Sequence, residues 1–224
     1  MSTVTAFDIS RLPDTAPARF RRSVPPDRRE RAALFPLVAD RKRCLTAGVL
    51  LRHALILRHG LTADELTTAK NTQGKPFLVD RPDVHFNLSH AGNWVVCATG
   101  TSEIGVDIEH ISAGATDISH RFAPDEYAFV SAAPPAERPR RLVRIWTLKE
   151  SYVKYLGRGL TVPLNSFSVA PPDPRPRILR GSLDPRPFLR QTTHHDDYYI
   201  AVCTPDDTPL TVTEPSLDEL LTVC

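Results

Sequence analysis

Apolar and polar positions change period several times along the chain, and each change marks an element. Thr3 to Ile9 is a run of β-branched and apolar residues that predicts a first strand. Pro25-Pro26-Asp27 opens a helix, with proline near its start and an acid in its first turn. Leu45, Val49, Ala54 or Leu55, and Ile56 then recur at roughly helical spacing. They predict a second helix, capped by Asp40 and ended by Gly60. Gly74-Lys75-Pro76 reads as a turn. His85 to Leu88 and Trp94 to Ala98 alternate or run apolar, which predicts a hairpin with Ser89 to Asn93 at its exposed tip. Ile104 to Ile108 is another strand, and a helix starts near Pro124-Asp125. Arg141 to Leu156 is a long helix with Ile145, Leu148, Tyr152 and Leu156 as its buried stripe and Gly157 as its stop. From Phe167 onward strands alternate with proline-rich turns, and Tyr198 to Cys203 is the clearest of them.

The pattern recurs within the chain. Pro26-Asp27 precedes one helix and Pro124-Asp125 another. Ala39-Asp40-Arg41-Lys42-Arg43 aligns with Ala136-Glu137-Arg138-Pro139-Arg140, and at the same offset Leu45 meets Leu142, Leu51 meets Leu148, and Gly60 meets Gly157. Arginines and alanines match by chance in such a chain, so the correspondence has weight only as a whole. It predicts an α/β (α+β) protein of two similar lobes, residues 1–103 and 104–224, related by a pseudo-twofold with the active site in the cleft between them.

Composition narrows this further. A chain of 224 residues with 41% hydrophobic and 24% charged content can bury a real core. Its longest apolar stretch, Val49 to Leu57, is interrupted by Arg52 and His53 and is too short and polar to span a bilayer. Met1 to Ser10 has no signal-peptide pattern. Cys44, Cys97, Cys203 and Cys224 are too scattered for a CxxC metal site or a disulfide framework, which predicts reduced thiols and a cytoplasmic protein. Many of the 21 prolines fall at 134–139 and 171–187 and mark loops. The net charge is only +2, but Arg19 to Arg58 is rich in arginine, which suits a local anion site. The low net charge and the lack of interleaved aromatics argue against nucleic acid.

Two short segments carry the chemistry. On a strand, Asp107 and Glu109 share one face. On a helix, Glu150 and Lys154 stand one turn apart, with Trp146 a turn earlier. Taken singly, each has a plain reading: two solvated acids, and a surface ion pair of about 0.3–0.5 kcal/mol. Taken together, three carboxylates suit a hard cation such as Mg²⁺, which keeps positions for water and phosphate. Such a cation neutralises a diphosphate, and a lysine beside it adds charge or a proton to a leaving group. Ser89-His90 lacks a G-x-S-x-G elbow, and adjacent residues rarely face each other as nucleophile and base. The pair suits phosphate binding, or a plain polar turn.

Phe86-Asn87-Leu88-Ser89-His90, Gly105 to Glu109, and Trp146 to Lys154 followed by Gly157-Arg158-Gly159-Leu160 resemble the three signature blocks of the 4′-phosphopantetheinyl transferases, in particular the large, surfactin-synthetase-activating type. Gly74-Lys75-Pro76 is similar to a further block, and the resemblance runs from about Pro25 to Cys203. It implies transfer of the phosphopantetheine arm of coenzyme A to a serine of an acyl or peptidyl carrier protein, leaving adenosine 3′,5′-bisphosphate. It implies Mg²⁺, with Mn²⁺ as a substitute, on Asp107, Glu109 and Glu150. Asp107, Glu150 and Lys154 become catalytic, Glu150 matching the base for the carrier serine and Lys154 the residue near the leaving diphosphate. Coenzyme A contacts fall on Lys75, Ser89, His90 and Lys154, with Arg28, Arg31 and Arg43 as partners of its phosphates. Cys44 departs from the family in standing where a hydroxyl residue is common, and Arg28 and Arg31 stand where lysines are familiar. A monomer is expected. The same acids would serve a metal-dependent phosphohydrolase of coenzyme A or nucleotides, which is the alternative. Ile118 to Phe122 is a candidate carrier-docking segment, with Phe122 and Ile118 entering the carrier and Arg121 facing its acids; the alternative places Phe122 in the core.

Overall fold

The computed structural model describes residues 3–13, 15–112, 118–169, 176–181 and 186–224. Strand β1 (Thr3–Asp8) is followed by helices α1 (Ala16–Ser23), α2 (Pro26–Leu34) and α3 (Val38–His59). Helix α3 is buried on almost every side from Cys44 to Leu55, because strands flank it on one side and α1 and α2 on the other. Its cap is Leu37, one turn earlier than expected, and Asp40 lies in the first turn, where its charge suits the positive end of the helix. Gly60 closes it in a left-handed conformation, φ 64°, donating to the Ile56 and Leu55 carbonyls. Helix α1 has no clear sequence signal, since it buries only Ala16 and Phe20 among its arginines.

Two hairpins follow: β2 (Thr68–Lys70) with β3 (Pro76–Leu78), and β4 (His85–Ala91) with β5 (Trp94–Gly100). Ala91 pairs with Trp94, so Gly92 and Asn93 alone form the second turn. Ser89 and His90 therefore belong to β4 and not to an exposed tip, and Ser89 is buried. The polar pair broke the apolar alternation because it faces the cleft described below.

The second lobe begins with β6 (Gly105–His110), then α4 (Pro124–Ser131) and α5 (Arg138–Leu156). A small pair, β7 (Ser168–Val169) and β8 (Ile178–Arg180), precedes the hairpin of β9 (Phe188–His194) and β10 (Tyr198–Thr204). The proline-rich turns expected over 171–187 fall mostly outside the described residues. The chain then crosses back: β11 (Thr211–Thr213) joins the first sheet parallel to β1, and α6 (Leu217–Leu221) sends Leu220 into the first core. The first lobe is thus completed by residues beyond 210, which a division at residue 103 leaves in the second. Among the described residues no helix is long and apolar enough to cross a membrane, and all four cysteines are free.

The internal repeat is visible in strand order. The first sheet runs β11-β1-β5-β4 and the second β6-β10-β9. In each, an opening strand pairs antiparallel with the second strand of the hairpin that follows the long helix. The inner faces of the sheets share one core: Val4, Ala6, Val96 and Ala98 from the first, Val106, Ile108, Ile200 and Val202 from the second. Helix α3 covers the outer face of one sheet and α5 that of the other. Gly105 sets how closely α5 can lie. A Cβ there would stand 2.0 Å from the Ser151 carbonyl oxygen and 2.3 Å from the Tyr155 nitrogen, so only glycine admits the helix.

Candidate active site

The alternation of β6 divides its side chains between two environments. Val106 and Ile108 enter the core shared by the sheets, while Asp107 and Glu109 face α5. That helix, admitted by Gly105, presents Trp146, Glu150 and Lys154 at successive turns. Trp146 Nε1 donates to Glu109 Oε1 at 3.0 Å. Lys154 Nζ donates to Asp107 Oδ1 at 2.6 Å and to Ser89 Oγ at 2.8 Å. Ser89 Oγ in turn donates to the same Asp107 oxygen at 2.8 Å. The Asn87 side chain accepts from the Val106 amide at 2.9 Å and so ties β4 to β6 along the seam between the lobes. Lys154 is therefore ion-paired to Asp107 within the second lobe, and not to its helix neighbour Glu150, and it reaches across the seam only to Ser89.

The acids crowd one another. Burial, and next the Asp107 charge, push the Glu109 carboxyl up to about 7 against a partial offset from the Trp146 hydrogen bond. Burial and then Asp107 likewise raise Glu150. Asp107 is only 3% exposed, yet its Oδ2 has no hydrogen-bond partner. An orphaned carboxylate oxygen beside two carboxylates that resist ionisation fits a hard divalent cation, which would satisfy the oxygen and favour both charges. Asp107, Glu109 and Glu150 are the candidate residues for it, grouped by their mutual charge effects.

Next to this cluster a cavity of about 560 Å³ is walled by α2, α3, the first hairpin and β4. Arg28, Arg31, Cys44, Ser89 and His90 line it, as do Gly74 and Pro76. Arg28 donates to the Cys44 carbonyl at 3.3 Å, and burial lowers its proton affinity. His90 reaches solvent, but desolvation by the cleft wall, then the Arg43 and Lys154 charges, hold its imidazole below the usual range. Arg43 ion-pairs with Asp40 at 2.5 Å and donates to the Gly92 carbonyl at 2.6 Å, just behind the hairpin turn. Lys75 stands apart from this wall. Its Nζ binds Glu103 Oε2 at 2.6 Å and the carbonyls of Ile104 and Tyr155 at 3.1 and 3.2 Å, at the junction of the lobes.

Two residues that shape the site had no reading in the sequence. Lys149, on the opposite side of α5 from the acids, is fully buried. Its Nζ meets Glu126 Oε2 at 2.8 Å and the Leu164 and Phe167 carbonyls at 2.8 and 2.7 Å. Glu126 also accepts from the Ala123 and Val169 amides. Its position three residues after the α4 cap was a usable signal; for Lys149, one charge among the many on α5, there was none. Phe122 is also settled: it is buried, stacks on Trp146 with centroids 6.4 Å apart, and lies under Lys149. It belongs to the second core, so the proposed insertion of Phe122 into a carrier is incorrect.

Comparison with known proteins matches both halves. Residues 16–102 match the family model described as 4′-phosphopantetheinyl transferase, N-terminal, and residues 103–203 that of the 4′-phosphopantetheinyl transferase superfamily. The chain belongs to the 4′-phosphopantetheinyl transferase superfamily. It is 35% identical over 187 residues to a 4′-phosphopantetheinyl transferase of Bacillus subtilis, covering 83% of this chain and 84% of the relative. It is 33% identical over 206 residues to 4′-phosphopantetheinyl transferase Sfp of Bacillus subtilis strain 168, covering 91% and 92%. Against 4′-phosphopantetheinyl transferase psf-1 of Bacillus pumilus it is 32% identical over 80% of this chain and 77% of the relative. Within the superfamily it is therefore of the Sfp type.

Proposed function

We propose that this chain moves the 4′-phosphopantetheine arm of coenzyme A onto a serine hydroxyl of an apo acyl or peptidyl carrier protein, releasing adenosine 3′,5′-bisphosphate, with Mg²⁺ as the resident cation. Family membership supports the reaction. The observation that carries the site assignment is the crowded trio Asp107, Glu109 and Glu150, with one oxygen unsatisfied, beside Lys154 at the end of an arginine-lined cavity.

In this reading Arg31, Arg43 and His90 bind the phosphates of coenzyme A by charge-assisted hydrogen bonds, Arg28 supports the cavity wall, and Lys75 fastens the junction of the lobes. Bound at the three acids, the cation supplies charge neutralisation for the diphosphate. A new bond forms between the serine oxygen and the pantetheine-side phosphorus as the bond from that phosphorus to the bridging oxygen breaks. Glu150, whose proton affinity is raised, accepts the serine proton, directly or through a water. Lys154, which already bonds Asp107 and Ser89, is placed to neutralise the departing oxygen.

The test is mass spectrometry of apo carrier proteins incubated with the enzyme, coenzyme A and Mg²⁺. The carrier should gain the mass of the arm, and a serine-to-alanine carrier should gain nothing. Consumption of coenzyme A in the absence of any carrier would instead establish the phosphohydrolase.

A further inference from the structure

A second set of chemically capable side chains lies outside the cleft, where the β9–β10 hairpin meets the segment after β11. Tyr198 pairs with His194, so His195, Asp196 and Asp197 alone close that hairpin. His195 and Asp196 have φ of 46° and 55°. Two consecutive non-glycine residues in the left-handed region are a costly arrangement that persists only where the surroundings impose it. Here the turn lays the His195 ring flat on Trp94 of β5, with centroids 4.8 Å apart and planes at 25°. Its Nε2 stands 2.8 Å from Glu214 Oε1. The His194 ring packs edge-on against the same tryptophan at 4.2 Å. His194 is 7% exposed, its Nε2 has no hydrogen-bond partner, and that nitrogen lies 3.7 Å from the same Glu214 oxygen. The three ligating atoms lie within 4.8 Å of one another.

We propose that His194, His195 and Glu214 form a site for a borderline transition cation of the Zn²⁺ class, separate from the acid cluster at Asp107 and linking the two lobes. Two imidazole nitrogens and one carboxylate are the donor set such ions prefer, whereas Mg²⁺ selects oxygen. With metal–ligand bonds of about 2.0–2.2 Å, tetrahedral donors stand about 3.3–3.6 Å apart. The present spacing therefore closes through rotation of His195 and Glu214, the more exposed members. A water takes the fourth position. The cation replaces the His195–Glu214 hydrogen bond, the His195 ring binding through Nε2 and carrying its proton on Nδ1, and the orphaned His194 nitrogen gains its partner. His194 and His195 come from the second sheet, while Glu214 directly follows the strand that edges the first. The cation would thus fasten one lobe to the other.

Co²⁺ is the spectroscopic probe. In the full chain, with excess Mg²⁺ to occupy oxygen-only sites, Co²⁺ should give the intense, saturable visible bands of a four-coordinate centre, and Zn²⁺ should displace it. His195→Asn removes the imidazole yet suits the left-handed turn. It should weaken Co²⁺ binding by more than about tenfold, and Glu214→Gln should do the same. Both variants should keep the wild-type circular dichroism and lose the rise in Tm that Zn²⁺ produces in wild type. Asp107→Asn should leave the bands unchanged. Wild-type protein without a saturable band would reduce the contact to a simple hydrogen bond and overturn the proposal. Bands that survive His195→Asn but vanish in Asp107→Asn would assign them to the acid cluster and overturn it equally.

Discussion

Asp107 uses its two oxygens differently. One accepts from Lys154 and Ser89, and the other has no partner. Removing the carboxylate withdraws the proposed cation ligand and the anchor of Lys154 together. Asp107→Ala should lower transfer by about a thousandfold or more, the scale of losing several kcal/mol of charge stabilisation. Its circular dichroism should be unchanged, because the loss also relieves repulsion among the three acids. A folded Asp107→Ala protein that keeps most of its activity would place the chemistry elsewhere. Glu109 gives a pH signature. Its carboxyl rises from 4.5 to about 7 on folding, so the metal-free folded protein holds a proton there that the unfolded chain releases. The stability from this group is fully present below its unfolded pKa and is lost as pH rises through about 7. Thermal melts of metal-free protein between about pH 5 and 8 should show this decline, and Glu109→Gln should make it shallower, the raised Glu150 carboxyl remaining as a second source. The two curves keeping the same slope would remove Glu109 as its source.

At the scale of elements, α5 has chemistry on two sides. One side offers Glu150 and Lys154 to the cleft, and the other anchors through Lys149 to Glu126 of α4. Breaking a buried pair leaves an uncompensated charge. Lys149→Ala should therefore cost about 3–5 kcal/mol in urea unfolding. Lys149→Met with Glu126→Gln should recover much of that, since neither partner is then left charged. A double variant no more stable than the single would assign the loss to packing on the Phe167 ring instead. The same helix shows what its sequence could and could not reveal. The apolar stripe of Ile145, Leu148 and Tyr152 was legible because burial on one side imposes its period. Glu150 and Lys154 were legible by spacing, but Lys154 pairs with Asp107, a residue brought near only by tertiary packing against Gly105. Ser89 and His90 misled for the related reason that a strand residue serving a cleft looks like a turn residue. Lys149 was illegible, since nothing local distinguishes a buried lysine from a solvated one.

At the scale of the molecule, two lobes that pair an opening strand with a later hairpin in the same way close on a single shared apolar layer. The repeat announced the similarity of the halves, but not the return of the chain to its starting lobe. β11 and α6 are short, and their apolar residues acquire meaning only beside β1 and α3. Leu220 is fully buried there. Leu220→Ala should cost about 2–5 kcal/mol. Because the lobes share a core, the fluorescence of Trp146 in the second lobe should shift to a lower urea midpoint together with the far-ultraviolet signal. Two separated transitions would show instead that each lobe unfolds on its own.

That returning strand also orders events during synthesis. The first lobe is translated first, yet its sheet lacks an edge strand and its core lacks Leu220 until residues 211–221 have been made. Through the whole of that interval the β1 edge and the α3 surface beneath it are open to solvent and to neighbouring nascent chains. The first lobe is therefore sealed only after the second has been made, and its exposure to misassembly scales with the time spent translating the second lobe.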